Sequence, residues 1–147
     1  MALVTALMAT LMMLALGAGV TLTTMTETTV AANHRDGLQA LYAAEAGVDL
    51  AISRLRGVAD WRPVANAGAP FLQGRLADLL QSSDVDSAIG VTVLVSPDPN
   101  GNADVVVVQS SAVVAGGVRR TVQVIITRRP ADADGARRIE TLSWRER

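Results

Sequence analysis

Four oxygen-bearing side chains alternate within one short stretch: Asp98, Asn100, Asn102 and Asp104. Calcium loops use alternate positions in this way, because a hard cation collects many oxygen ligands. Here Gly101 is out of place for such a loop, no glutamate closes it, and apolar alternating runs flank it on both sides. The stretch therefore reads as a polar hairpin turn, and no metal ligand is assigned. His34 is the only histidine. It stands in a polar helical stretch and reads as a surface residue. The chain has no cysteine, which excludes disulfides and thiolate metal sites. No Ser–His–Asp set, phosphate-binding glycine loop or paired-carboxylate context is present. No catalytic residue and no cofactor site is assigned, and an enzyme is not expected. Three arginine pairs remain: Arg119-Arg120, Arg128-Arg129 and Arg137-Arg138. Neighbours in a strand point to opposite faces, so the pairs make no single stripe. They read as solvated residues that discourage edge pairing, with partner or nucleic-acid contact as the alternative. The formal net charge of −1 supplies no general attraction to polyanions, so nucleic acid is not an expected partner.

These groups hang on an unusual frame. The first 26 residues carry no charge, and Glu27 is the first ionisable side chain. Between Met1 and Val20 only Thr5 and Thr10 are polar. About 20 apolar residues cross a bilayer as a helix, and in lipid the backbone must satisfy its own hydrogen bonds. A cleaved signal peptide is the rival reading, since Ala15-Leu-Gly17 loosely fits a cleavage site. No basic residue precedes the run, which is also long for a signal core. Small residues recur at helical spacing: Ala2, Ala6 and Thr10, then Ala15 and Gly19. Such faces let helices approach closely in lipid. Gly17 and Gly19 lower helix propensity and could mark a bend.

From residue 30 polar side chains enter without breaking the helical period. Leu38, Leu41, Val48, Ile52 and Leu55 keep one face apolar. Glu45 lies within that stripe, as a rim residue or as half of an ion pair with an arginine elsewhere. Arg54 and Arg56 before Gly57 make a normal helix stop. A continuous helix from 1 to 56 would be about 80 Å long. The expected organisation is a membrane or packing half at 1–26, an amphipathic half at 27–56, and a small globular head at 57–147.

In the head, Pro63, Gly68 and Pro70 mark a loop. Leu72, Leu76, Leu79 and Leu80 fit a short amphipathic helix. Three strand signals follow: Ile89 to Val95, Val105 to Val114, and Val118 to Ile126. Gly116-Gly117 reads as a two-residue hairpin turn, and residues 97–102 as the other turn. The expected fold is α+β: a long N-terminal helix packed against a three-stranded antiparallel sheet. Leu41, Val48, Ile52 and Leu55 are the expected helix-to-head contacts. The tail reads as a loop until Ile139, Leu142 and Trp144, which could tuck back onto the sheet.

Taken together, the uncharged run, the polar Asn33-His-Arg-Asp36 segment and Ala43-Ala-Glu-Ala-Gly47 followed by Leu55 resemble the type IV pilin-like proteins, most closely the PilX-type minor pilins. The resemblance covers about residues 1–56. It implies a structural subunit, a minor pilin or a type II secretion pseudopilin. Such a subunit is held in the bacterial inner membrane with its head outside the cytoplasm. It is then assembled into a periplasmic or surface filament. The implied partners are other pilins, the inner-membrane assembly machinery and a prepilin peptidase. That peptidase removes a basic leader, and the new N-terminus is methylated. Met1 is taken as that residue, and Ala2, Thr5, Ala6 and Thr10 as the filament-packing face. Major pilins place a glutamate at the fifth mature position, where it neutralises a neighbour's amine. Here the position is Thr5, or Ala6 if Ala2 comes first, and neither ionises. This argues against the abundant shaft subunit. The remaining alternative is a single-pass, membrane-anchored extracytoplasmic binding module outside any filament.

Overall fold

The computed structural model describes residues 2–86, 88–129 and 138–146. The chain divides into two compact units, residues 1–35 and 36–147. One helix, α1 (Ala2–Arg56), contributes to both.

Within the first unit every described residue is exposed and helical. No acidic residue marks its first turn. The apolar side chains are on the outside, with Leu3 80% and Met13 75% exposed. A water-soluble helix hides such residues along one stripe; this one hides none. The helix is long and apolar enough to cross a membrane.

The second unit begins with the rest of α1. Two short helices follow, α2 (Arg62–Ala65) and α3 (Leu76–Leu80). The strands are β1 (Leu72–Arg75), β2 (Gly90–Pro97), β3 (Val105–Val113), β4 (Arg119–Arg128) and β5 (Ile139–Glu146). They form one antiparallel sheet in the order β1-β2-β3-β4-β5. The expected three-stranded sheet is thus corrected to five strands. The three central ones follow the alternation read from the sequence, and an edge strand is added on each side.

Both additions have physical reasons. The expected helix over Leu72–Leu80 splits in two. Leu72 enters β1 opposite Val93, and only Leu76–Leu80 is helical. Gln81 closes that helix in the left-handed region with φ 54°. The tail does return to the sheet, as a paired strand. Its register shifts between Ile125 and Ile126, so one residue is absorbed by a bulge. That shift hides the two-residue period in the spacing of Ile139, Leu142 and Trp144.

The β3–β4 turn is longer than the expected two-residue hairpin. The Val114 carbonyl accepts from Gly117 N–H at 2.9 Å, and Gly117 holds φ +77°, a conformation glycine adopts without strain. The β2–β3 turn uses Gly101 in the same way, at φ +77°.

The core lies between α1 and one face of the sheet. Val91, Val93, Val95, Val106, Val108, Val122, Val124 and Ile126 point into it. A valine-rich inner face suits the pleat, because β-branched side chains pack well there. Trp61, 1% exposed, closes the end of the core beyond α1. Its indole N–H donates to the Leu55 carbonyl at 3.1 Å. Arg128 stacks over its ring at 4.3 Å and donates to the Val58 and Ala59 carbonyls at 3.0 and 2.6 Å. These donors satisfy carbonyls at and just beyond the helix end, where a cation also suits the dipole.

Candidate functional site: the two faces of the N-terminal helix

In residues 2–35 the expected packing positions stand open. Ala2, Thr5, Ala6 and Thr10 are all exposed. Ala2, Ala6 and Thr10 repeat every fourth residue and so share a face; Thr5 lies beside it. The Thr5 hydroxyl donates to the Ala2 carbonyl at 2.9 Å, and that of Thr10 to the Leu7 carbonyl at 2.8 Å. The same habit continues at Thr21, Thr23, Thr24, Thr26, Thr28 and Thr29, each donating to a carbonyl three or four residues back. A hydroxyl satisfied by its own helix costs little to place in lipid. Gly17 and Gly19 meet nothing within 4 Å of an added Cβ. Met1 lies outside the described residues.

In residues 36–56 the helix has an inside. Gly37, Ala40, Ala43, Ala44, Gly47, Val48, Ala51 and Leu55 are buried. Of the four expected contacts, Val48 and Leu55 are fully buried, while Leu41 and Ile52 pack partly buried against the core. Leu38 is 40% exposed and Tyr42 63%, so the large residues of the stripe do not all point inward. Much of the buried face is glycine and alanine.

Gly47 shows why. A Cβ built there would lie 2.7 Å from Val91 Cγ1 and closer still to the Ser110 hydroxyl. Real Cβ contacts do not fall that low, so only glycine fits without movement. Ser110 is fully buried, and its hydroxyl has no hydrogen-bond partner among the described residues. It faces the bare backbone of Gly47, where only a weak Cα–H···O contact is open to it. A second close approach occurs at Gly116, where a Cβ would come 2.9 Å from Asp36 Oδ2. The glycine in Ala43-Ala-Glu-Ala-Gly47 is thus occupied within this chain. It seats the helix on β3. Glu45, half-buried, lies at the rim.

Residues 1–49 match the protein-family model described as PilX N-terminal. No curated protein and no solved structure matches the chain. The PilX match ends two residues beyond Gly47, while the buried positions of α1 continue through Val48, Ala51 and Leu55. The head has the α+β, pilin-like arrangement described above.

The other groups weighed for chemistry are placed as follows. Asp98 Oδ1 accepts from Asn100 Nδ2 at 3.3 Å, and Oδ2 from the Asn102 N–H at 3.4 Å. Asn102 Oδ1 accepts from the Asp104 N–H at 3.0 Å. These oxygens are engaged in shaping the turn. His34 is exposed on α1. Among the described residues no three of His, Cys, Asp and Glu group closely enough to share a metal ion. Trp61 with Arg128 and Gly47 with Ser110 form contacts that the sequence reading did not pair. Each joins residues more than 60 positions apart, with no local signal linking them.

Proposed function

We propose that this protein is a structural subunit, a minor pilin or pseudopilin, of a type IV pilus-like filament. Residues 2–26 anchor it in the inner membrane with the head outside the cytoplasm. The same residues then pack beside those of other subunits in the filament core, with Ala2, Ala6 and Thr10 at the closest approach. Thr5 leaves the position of the usual glutamate uncharged. A carboxylate in lipid demands a partner, and a subunit without one has no charge of its own to set beneath a neighbour's amine. That favours an accessory or tip position over the repeating shaft. Met1 is the residue at which processing and methylation are expected.

The observation that carries this reading is the PilX N-terminal match over residues 1–49. It falls on a helix whose residues 2–35 are exposed throughout. The test compares cells with and without prepilin peptidase. The expected result is a shorter, N-methylated protein in sheared filament fractions, and an unprocessed membrane form when the peptidase is missing. Identical size and location in both strains would instead leave a membrane-anchored binding module.

A further inference from the structure

The sheet face turned away from α1 carries features that the filament reading does not use. Residues paired across antiparallel strands share a face. The register aligns Arg75, Gly90, Val113 and Arg119 in one row on that outer face. Beside it runs Gln73, Thr92, Ser111 and Thr121, and then Leu94, Gln109, Gln123 and the exposed Arg145. A groove of about 480 Å³ lies over these rows, lined by Gln73, Thr92, Gln109, Ser111 and Arg119 among others. Gly90 keeps its floor open, since an added Cβ there meets nothing within 4 Å.

The charges are as telling as the shape. Arg75 and Arg119 are both exposed. Among the described residues the ion pairs are Arg120–Glu146 and Arg129–Glu140, so neither Arg75 nor Arg119 is neutralised. Among the described residues Glu140 is the only carboxylate at an outward strand position, and Arg129 holds it at 2.5 Å. Arg75 and Arg119 thus stand unpaired at the two ends of the first row, their backbones three strand spacings or about 14 Å apart, and Arg119 lines the groove. Gly90 and Val113 lie between them in that row, and the row beside it offers amides and hydroxyls, which both donate and accept.

We propose that this groove binds an acidic polysaccharide. Guanidinium matches carboxylate in a two-pronged geometry, and Arg75 and Arg119 take uronate carboxylates. Gln73, Thr92 and Ser111, in the row beside them, take sugar hydroxyls of the same chain. A small anion would need only one arginine, so the separation of the two calls for an extended ligand. A nucleic-acid backbone rewards many closely spaced cations, and single strands want aromatic platforms. Among the described residues these rows add only Arg145 to the two arginines, and they hold no aromatic ring.

The test uses the full chain in detergent micelles, titrated with polygalacturonate, neutral dextran and duplex DNA. The expected result is saturable polygalacturonate binding that weakens with added salt, with no dextran binding. Arg119→Gln and Arg75→Gln should each weaken it about tenfold, the loss of one charge-assisted contact, while Arg54→Gln on the helix leaves it unchanged. Absence of saturable binding overturns the proposal. So does undiminished binding by Arg119→Gln, or tighter binding of DNA than of polygalacturonate at equal charge. The measurement needs no filament. A variant that assembles normally but has lost polygalacturonate separates this site from the assembly role.

Discussion

Leu14 and Leu55 belong to the same helix and meet opposite surroundings. Leu14 is 72% exposed and Leu55 fully buried. Around Leu55 the chain supplies its own cover: five strands, Trp61 and a run of small residues that lets the sheet come close. Around Leu14 it supplies none, and even the threonine hydroxyls turn back on their own backbone. Both stretches use glycine and alanine at helical spacing. One stretch has a face buried within the chain, and the other stands exposed along its whole length.

The widest separation between the two regions should come from truncating those leucines. Leu55→Ala removes a buried side chain and should destabilise the head by about 2–5 kcal/mol. Leu14→Ala should leave the head's thermal melt unchanged. Circular dichroism melts of the full chain in micelles make the comparison, and equal shifts in the two variants would erase it. A charge reverses the roles. Leu14→Arg should cost about 3–4 kcal/mol of membrane insertion, read as loss from the carbonate-resistant membrane fraction, with the head melting as before.

Glycine sharpens the contrast because the sign itself changes. Gly47→Ala pushes a methyl into Val91 and Ser110 and should cost about 1–3 kcal/mol of head stability, the usual range for overpacking. Adding Ser110→Ala should recover part of that loss, because it also removes a buried hydroxyl with no partner. Gly19→Ala adds a methyl into open space and should favour helix by about 1 kcal/mol. Helicity of a peptide covering residues 2–35 in micelles reads the second effect. A destabilised head from Gly19→Ala, or a tolerant Gly47, would mean that the two regions differ less than their packing indicates.

What could be read from the sequence follows the same divide. The uncharged run needs only counting, and residues 2–26 announced themselves. The central strands were legible because Val91, Val93 and Val95, or Val122, Val124 and Ile126, alternate without interruption. β1 was not, since one inward leucine is too little pattern and Leu76, Leu79 and Leu80 extend it at helical spacing. β5 was masked by its bulge. The buried face of α1 was misjudged in detail because Leu38 is large and conspicuous, whereas Ala40, Ala44 and Ala51 carry little hydropathy yet sit inside. Proximity of backbones depends on what is missing from a side chain, and sequence patterns weigh what is present. The partners Ser110 and Arg128 lie far along the chain from Gly47 and Trp61, so no local spacing could connect them.

The smallest effect tests adjacent residues. Arg119 and Arg120 alternate across β4, as strand geometry requires. Arg119 projects from the outer face, unpaired. Arg120 turns to the side of α1, with its guanidinium 3.3 Å from where a Cβ on Gly37 would sit and 3.6 Å from Glu146. Both members of that pair are about half exposed, 47% and 48%, so water screens the attraction. Arg120→Gln should cost about 0.2–1 kcal/mol of head stability, and the loss should shrink in high salt. Arg119→Gln should cost nothing measurable in the same melt, because no partner is lost. A larger penalty at Arg119 than at Arg120 would place the structural role on the outer face and remove the reason to regard that face as free for a ligand.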